Sequence, residues 1–161
     1  MISRSEAISL LKTYLKDEGK LAHSVRVAEL MESMAHQFHL QPEKWYLTGL
    51  LHDIDIQLID NDWTQHGILA QKYLAGHLPP SALRAILTHD RNTGLTPDSK
   101  IGKALVFADV VDNLSRKVTL QELREAMRTM DFAGLKARLP NDTLNLQFMA
   151  DFVRQWPDIQ I

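Results

Sequence analysis

The chain has 161 residues, 45% hydrophobic and 24% charged, with a formal net charge of −2 and no cysteine. That length suits one domain with a real core and is short for two. The near-neutral balance gives no global field for a nucleic-acid polymer or a membrane surface, and the missing thiols remove disulfides, zinc fingers and cysteine catalysis together.

Apolar residues recur at helical spacing almost from end to end and strand signals are scarce. The pattern predicts an all-α chain, a compact bundle of about 7–8 helices in one domain over 1–161. Ser3 with Glu6 resembles a capping box and opens a first helix ending near Gly19. A second runs from about Lys20 to His39, its stripe made by Val27, Leu30, Met31, Met34 and Phe38. Pro42 stands in the first turn of a third, "PEKWYLTGLLHD". The acidic "DIDIQLIDNDWT" has poor periodicity and reads as loop or short helical turn. A helix begins near His66 and stops at Gly76; "HLPPS" turns the chain into the helix "PSALRAILTHD", and "RNTGLTPDS" is loop. "KIGKALVFADVVDNLSRK" has the composition of a buried helix. Thr119 with Glu122 makes a second capping box before "LQELREAMRTM", and a last helix starts near Asn141. No stretch approaches the roughly 20 apolar residues that span a bilayer, and the first residues lack a signal-peptide core, so a cytoplasmic protein is expected.

Seven histidines divide by face. At about 100° per residue, Lys20 and Arg26 share the face of His23, whereas His36 and His39 point away to solvent. His77 sits beside two prolines at the surface. His23, His52, His66 and His89 remain, with Asp53 and Asp109, each inside or at the end of an apolar segment, where an unpaired polar group is costly. Inward-facing imidazoles and carboxylates from several helices are how a helical bundle builds a metal site.

The order His23, then His52-Asp53, then Asp109 resembles the HD superfamily of metal-dependent phosphohydrolases, whose pattern is H…HD…D on an all-helical core. With His66 and His89 between, the chain is similar to the HDIG-type subset with H…HD…H…H…D. "LAHSVRVAELMESMA", "GLLHDI", "HGILAQKYL", "AILTHD" and "ALVFADVVDNL" carry the likeness over about residues 20–116, leaving helices over about 119–156 outside it. The resemblance implies two divalent transition ions, of iron, manganese, zinc, cobalt or nickel. Asp53 would bridge them, His23, His52 and Asp109 completing one ion and His66 and His89 the other. It also implies a hydroxide between the ions as nucleophile.

A phosphate would meet positive side chains near the metals, and Arg26 and Arg116 are placed to clamp its oxygens, with Lys20 and Arg91 as further candidates. The expected site therefore comprises Asp53, Arg26 and Arg116 in catalysis beside the six ligands. Asp112, one turn from Asp109, can orient a ligand or pair locally. Many relatives read HD-x-[GA]-K; here Ile56 stands where they carry lysine and Asp55 replaces the small residue. Length and layout look like the symmetrical dinucleoside-tetraphosphatases, which makes diadenosine tetraphosphate the leading substrate. A nucleotidase or cyclic-nucleotide phosphodiesterase of the same superfamily, or a non-catalytic HD module that binds metal and nucleotide, are the alternatives. Trp45, Tyr46, Trp63 and Tyr73 are core aromatics by spacing, Trp63 being the one placed to stack on a base. The partner is a small phosphorylated nucleotide, with no nucleic-acid polymer and no membrane. "LQELREAMRTMDFAGLKARL" and the last helix can pack inward or support a homodimer.

Overall fold

The structure is a computed structural model describing residues 1–161. It contains nine α-helices and no strand: α1 Arg4–Tyr14, α2 Glu18–Gln37, α3 Pro42–Leu51, α4 Ile68–Leu74, α5 Pro80–Leu87, α6 Lys100–Ser115, α7 Leu120–Thr129, α8 Ala133–Arg138 and α9 Thr143–Gln155. The all-α expectation is met, and both capping boxes form, Ser3 with Glu6 and Thr119 with Glu122.

Three boundaries differ from the sequence reading. Gly19 does not end α1; it lies inside α2, because the Asp17 carboxylate accepts from the Lys20 backbone N–H and starts the helix earlier. His66 precedes α4 rather than opening it, since Gly67 turns the backbone at φ +79°. The segment after α7 separates as α8 because Met130 takes a left-handed conformation, φ 56°, which brings the helices to nine.

Buried apolar side chains form one cluster of 41 residues. α6 runs through the middle, contacting α2, α5, α7 and α9, and α3 packs against α1, α2, α5 and α6. The α2–α3 contact is close enough that a Cβ on Gly49 would lie 2.8 Å from the Ala28 Cα. Only glycine fits there, and the approach packs the middle of α2 against the end of α3. No helix is long and apolar enough to cross a membrane.

Candidate metal centre

Five elements deliver the six residues singled out in the sequence. His23 comes from the second turn of α2, His52 and Asp53 from the end of α3, His66 from just before α4, His89 from just past α5, and Asp109 from the middle of α6. All four histidines and Asp53 are buried, and Asp109 is partly open. The structure brings all six together. The Nε2 atoms of His23 and His52 lie 3.3 Å apart, and those of His66 and His89 3.2 Å apart. Asp53 sits between the pairs, its Oδ1 3.3 Å from His52, 3.2 Å from His66 and 3.5 Å from His89, and its Oδ2 3.6 Å from His23. Asp109 Oδ1 lies 3.2 Å from His23 Nε2. The donor atoms of His23, His52 and Asp109 fall within 4.8 Å of one another, as do those of His52, Asp53 and His89. His66 joins the second group through its contacts to His89 and Asp53.

The other ring nitrogen decides what these Nε2 atoms can be. His52 Nδ1 donates to the Gly49 carbonyl at 2.7 Å and His89 Nδ1 to the Ile86 carbonyl at 2.6 Å, the same local arrangement at the ends of two helices. His23 Nδ1 donates to Asp112 at 2.7 Å and His66 Nδ1 to Asp55 at 2.8 Å. A carbonyl or carboxylate can only accept, so every Nδ1 carries a proton and every neutral ring turns an Nε2 lone pair inward. Facing lone pairs at about 3.3 Å repel unless a cation lies between them. Imidazole nitrogens with carboxylate oxygens, oriented from behind by buried acceptors, fit a divalent transition ion.

In the metal-free protein protons supply that positive charge. Burial opposes protonation of His23, but hydrogen bonds to Asp109 and Asp112 outweigh it and push its pKa up to about 9. Burial likewise opposes protonation of His66, and the bonds to Asp53 and Asp55 push it up to about 10. His52, with no carboxylate behind it, is driven below the ordinary histidine range by burial. Burial would raise the Asp53 pKa, yet the charge and hydrogen bonds of the surrounding histidines hold it well below the usual carboxylate range.

A cavity of about 220 Å³ opens above the cluster, lined among others by Lys20, Trp63, Asp90, Asn113 and Arg116. Arg116 and Lys20 thus both line the cavity. Arg26 does not line the cavity; its guanidinium forms a fork on Asp112, at 2.5 and 3.1 Å, and Arg116 reaches the same carboxylate at 3.3 Å. Arg91 turns away to Asn145. Trp45 and Tyr46 are core, while Trp63 is 44% exposed with its ring edge-on to His66. Asp55 is the residue whose place the sequence left open: it is wholly buried behind His66. Its signal was an acid standing where relatives of the HD-x-[GA]-K type carry a small residue.

A family model for the HD domain matches residues 21–117, more than half of the chain. The protein belongs to the HD domain family. All six clustered residues lie within the matched stretch. Members of the HD domain family bind divalent metals and are in general metal-dependent hydrolases, which agrees with a donor set that calls for cations. No protein of curated function matches the sequence.

Proposed function

We propose that this HD domain is a metal-dependent phosphohydrolase that cleaves a phosphoester or phosphoanhydride of a small nucleotide, with diadenosine tetraphosphate, giving two ADP, as the leading substrate. The observation that carries the reading is the convergence of four Nε2 atoms and Asp53 beneath a cavity rimmed by Lys20 and Arg116. In this reading His23, His52 and Asp109 would hold one ion and His66 and His89 the other, with Asp53 within reach of both sets. Two such ions, when bound, would supply Lewis acidity toward phosphate and a water activated near neutral pH.

The chain's own side chains account for the rest. Asp53, Asp90 and Asp109 line the cavity beside Lys20 and Arg116, and bound cations would offset those carboxylates where an anionic phosphate enters. Arg116 and Lys20 hold phosphate oxygens. Burial opposes ionisation of Asp112, but the hydrogen bond from His23 and then that from Arg26 hold it below the usual carboxylate range, so Arg26 acts through Asp112 behind His23. At about 220 Å³ the cavity would take a phosphate group and its immediate bridge, which leaves the nucleoside along the rim, where the exposed Trp63 would stack on a base. Ile56 lines the cavity where relatives of the HD-x-[GA]-K type carry lysine, so the charge on phosphate falls to Lys20 and Arg116.

The test is turnover by protein purified without chelator and supplied with Mn²⁺ or Fe²⁺, against diadenosine tetraphosphate, deoxynucleoside triphosphates and cyclic dinucleotides. Metal-dependent release of ADP from the first, lost in Asp109→Asn, is the expected result. Nucleotide binding with metal present and no hydrolysis of any of the three would contradict the enzyme and favour a binding module.

A further inference from the structure

Asp55 is wholly buried and accepts three hydrogen bonds: from His66 Nδ1 at 2.8 Å through Oδ1, and from the backbone N–H groups of Gly67 at 2.8 Å and Ala70 at 2.9 Å through Oδ2. One carboxylate thus fixes a candidate ligand and caps the helix that follows it. The chain of contacts continues. Gly67, at φ +79°, lies so close to the end of α5 that a Cβ would meet the Ile86 carbonyl at 3.0 Å. That same carbonyl accepts from His89 Nδ1 at 2.6 Å. Asp55, Gly67 and Ile86 therefore form a continuous backbone-based support behind both His66 and His89. None of it touches His23, whose Nδ1 is held by Asp112 from α6.

We infer that Asp55 is a positioning residue for one half of the centre alone, so that the His66–His89 position can be emptied without emptying the His23–His52–Asp109 position. The inference rests on the reading that the cluster holds two cations. Removing the charge at Asp55 frees the His66 ring and loosens the start of α4, while the support through Asp112 stays intact. Supporting partners of this kind typically change metal affinity by about 10–100-fold.

The experiment is a Co²⁺ titration of apoprotein followed by the visible absorption bands, with bound metal counted by elemental mass spectrometry after dialysis and ¹⁵N imidazole spectra of the same samples. Wild type is expected to take up about two ions in two steps. Asp55→Asn, which keeps the side-chain volume and one acceptor oxygen, is expected to keep one step unchanged and weaken the other by about 10–100-fold, with the ¹⁵N signals of His66, not those of His23, losing their response to metal. Gly67→Ala, which pushes the start of α4 off the Ile86 carbonyl, is expected to weaken the same step and serves as the deciding variant if Asp55→Asn does not fold. Two unchanged steps in a folded variant, or equal weakening of both, would overturn the role of Asp55 with the cation reading intact. No metal uptake by wild type would overturn both.

Discussion

His23 and His66 hold equivalent places in the two halves of the cluster, each donating Nδ1–H to a buried carboxylate, but the carboxylates are secured by different materials. Asp112 is met by side chains: Arg26 and Arg116 approach it from the surface, each about half exposed, at 45% and 50%. Asp55 is met by backbone N–H groups at the start of α4 and has no contact with solvent. The partner histidines, His52 and His89, do not share this difference, since both lean on the carbonyl three residues earlier. In the His23 half, orientation depends on charges that solvent and mutation can modulate; in the His66 half, orientation and local fold are the same set of hydrogen bonds. A change at either carboxylate should weaken its own half, and a change at the second should also loosen the start of α4.

The strongest way to break this comparison is to strike the residue that both halves use. Asp53→Asn is expected to lose metal retention at both positions and to lower activity by more than about 100-fold, beyond the range of supporting partners; elemental analysis with initial rates checks it. Asp112→Asn comes next. It should weaken the His23 half by about 10–100-fold and spare His66, the mirror image of the Asp55 variant. Equal loss at both positions, read from a stepwise metal titration, would dissolve the division.

A third variant tests whether helix spacing sets the distance between His23 and His52. Gly49→Ala would place a Cβ 2.8 Å from the Ala28 Cα and 3.0 Å from the Met31 side chain. Overpacking at such a contact costs about 1–3 kcal/mol. Thermal or denaturant unfolding of the apoprotein should register it; an unchanged midpoint would mean that α2 and α3 part easily.

The last comparison is the response to pH. His23 and His66, raised from about 6.5 to about 9 and about 10, stabilise the metal-free fold fully below pH 6.5. That contribution is lost as pH rises through their folded values. Melts of chelator-stripped protein should therefore fall between about pH 6.5 and 10, while metal-loaded protein, which has exchanged those protons for cations, should change less. Below pH 9 metal uptake should release protons, measurable by calorimetry in buffers of different ionisation enthalpy. Parallel pH curves with and without metal would contradict the exchange.

Much of this was legible in the residues because burial of a polar group leaves a mark in sequence. His52-Asp53 after "LTGLL", His89 after "LRAIL" and Asp109 within "ALVFADVV" are polar side chains in apolar surroundings, and all converge. The capping boxes, Pro42 and Pro80 placed α1, α3, α5 and α7 because their signals are local. Other features depend on tertiary geometry. Nothing near Asp55 reveals that the amides of Gly67 and Ala70 will face it after a turn of more than ten residues, nor does Arg26 announce that it will meet Asp112 on another helix instead of the cavity. The left-handed Met130 that separates α8 from α7 likewise breaks a helical pattern without a glycine or proline to mark it.

The measurement that bears most directly on the account is the metal content of wild-type protein purified without chelator, by elemental mass spectrometry beside a quantitative protein determination. The account predicts about two transition ions per chain, displaced together by Asp53→Asn and one at a time by Asp55→Asn and Asp112→Asn. One ion or none in the wild-type protein, after incubation with Mn²⁺ or Fe²⁺, would contradict it.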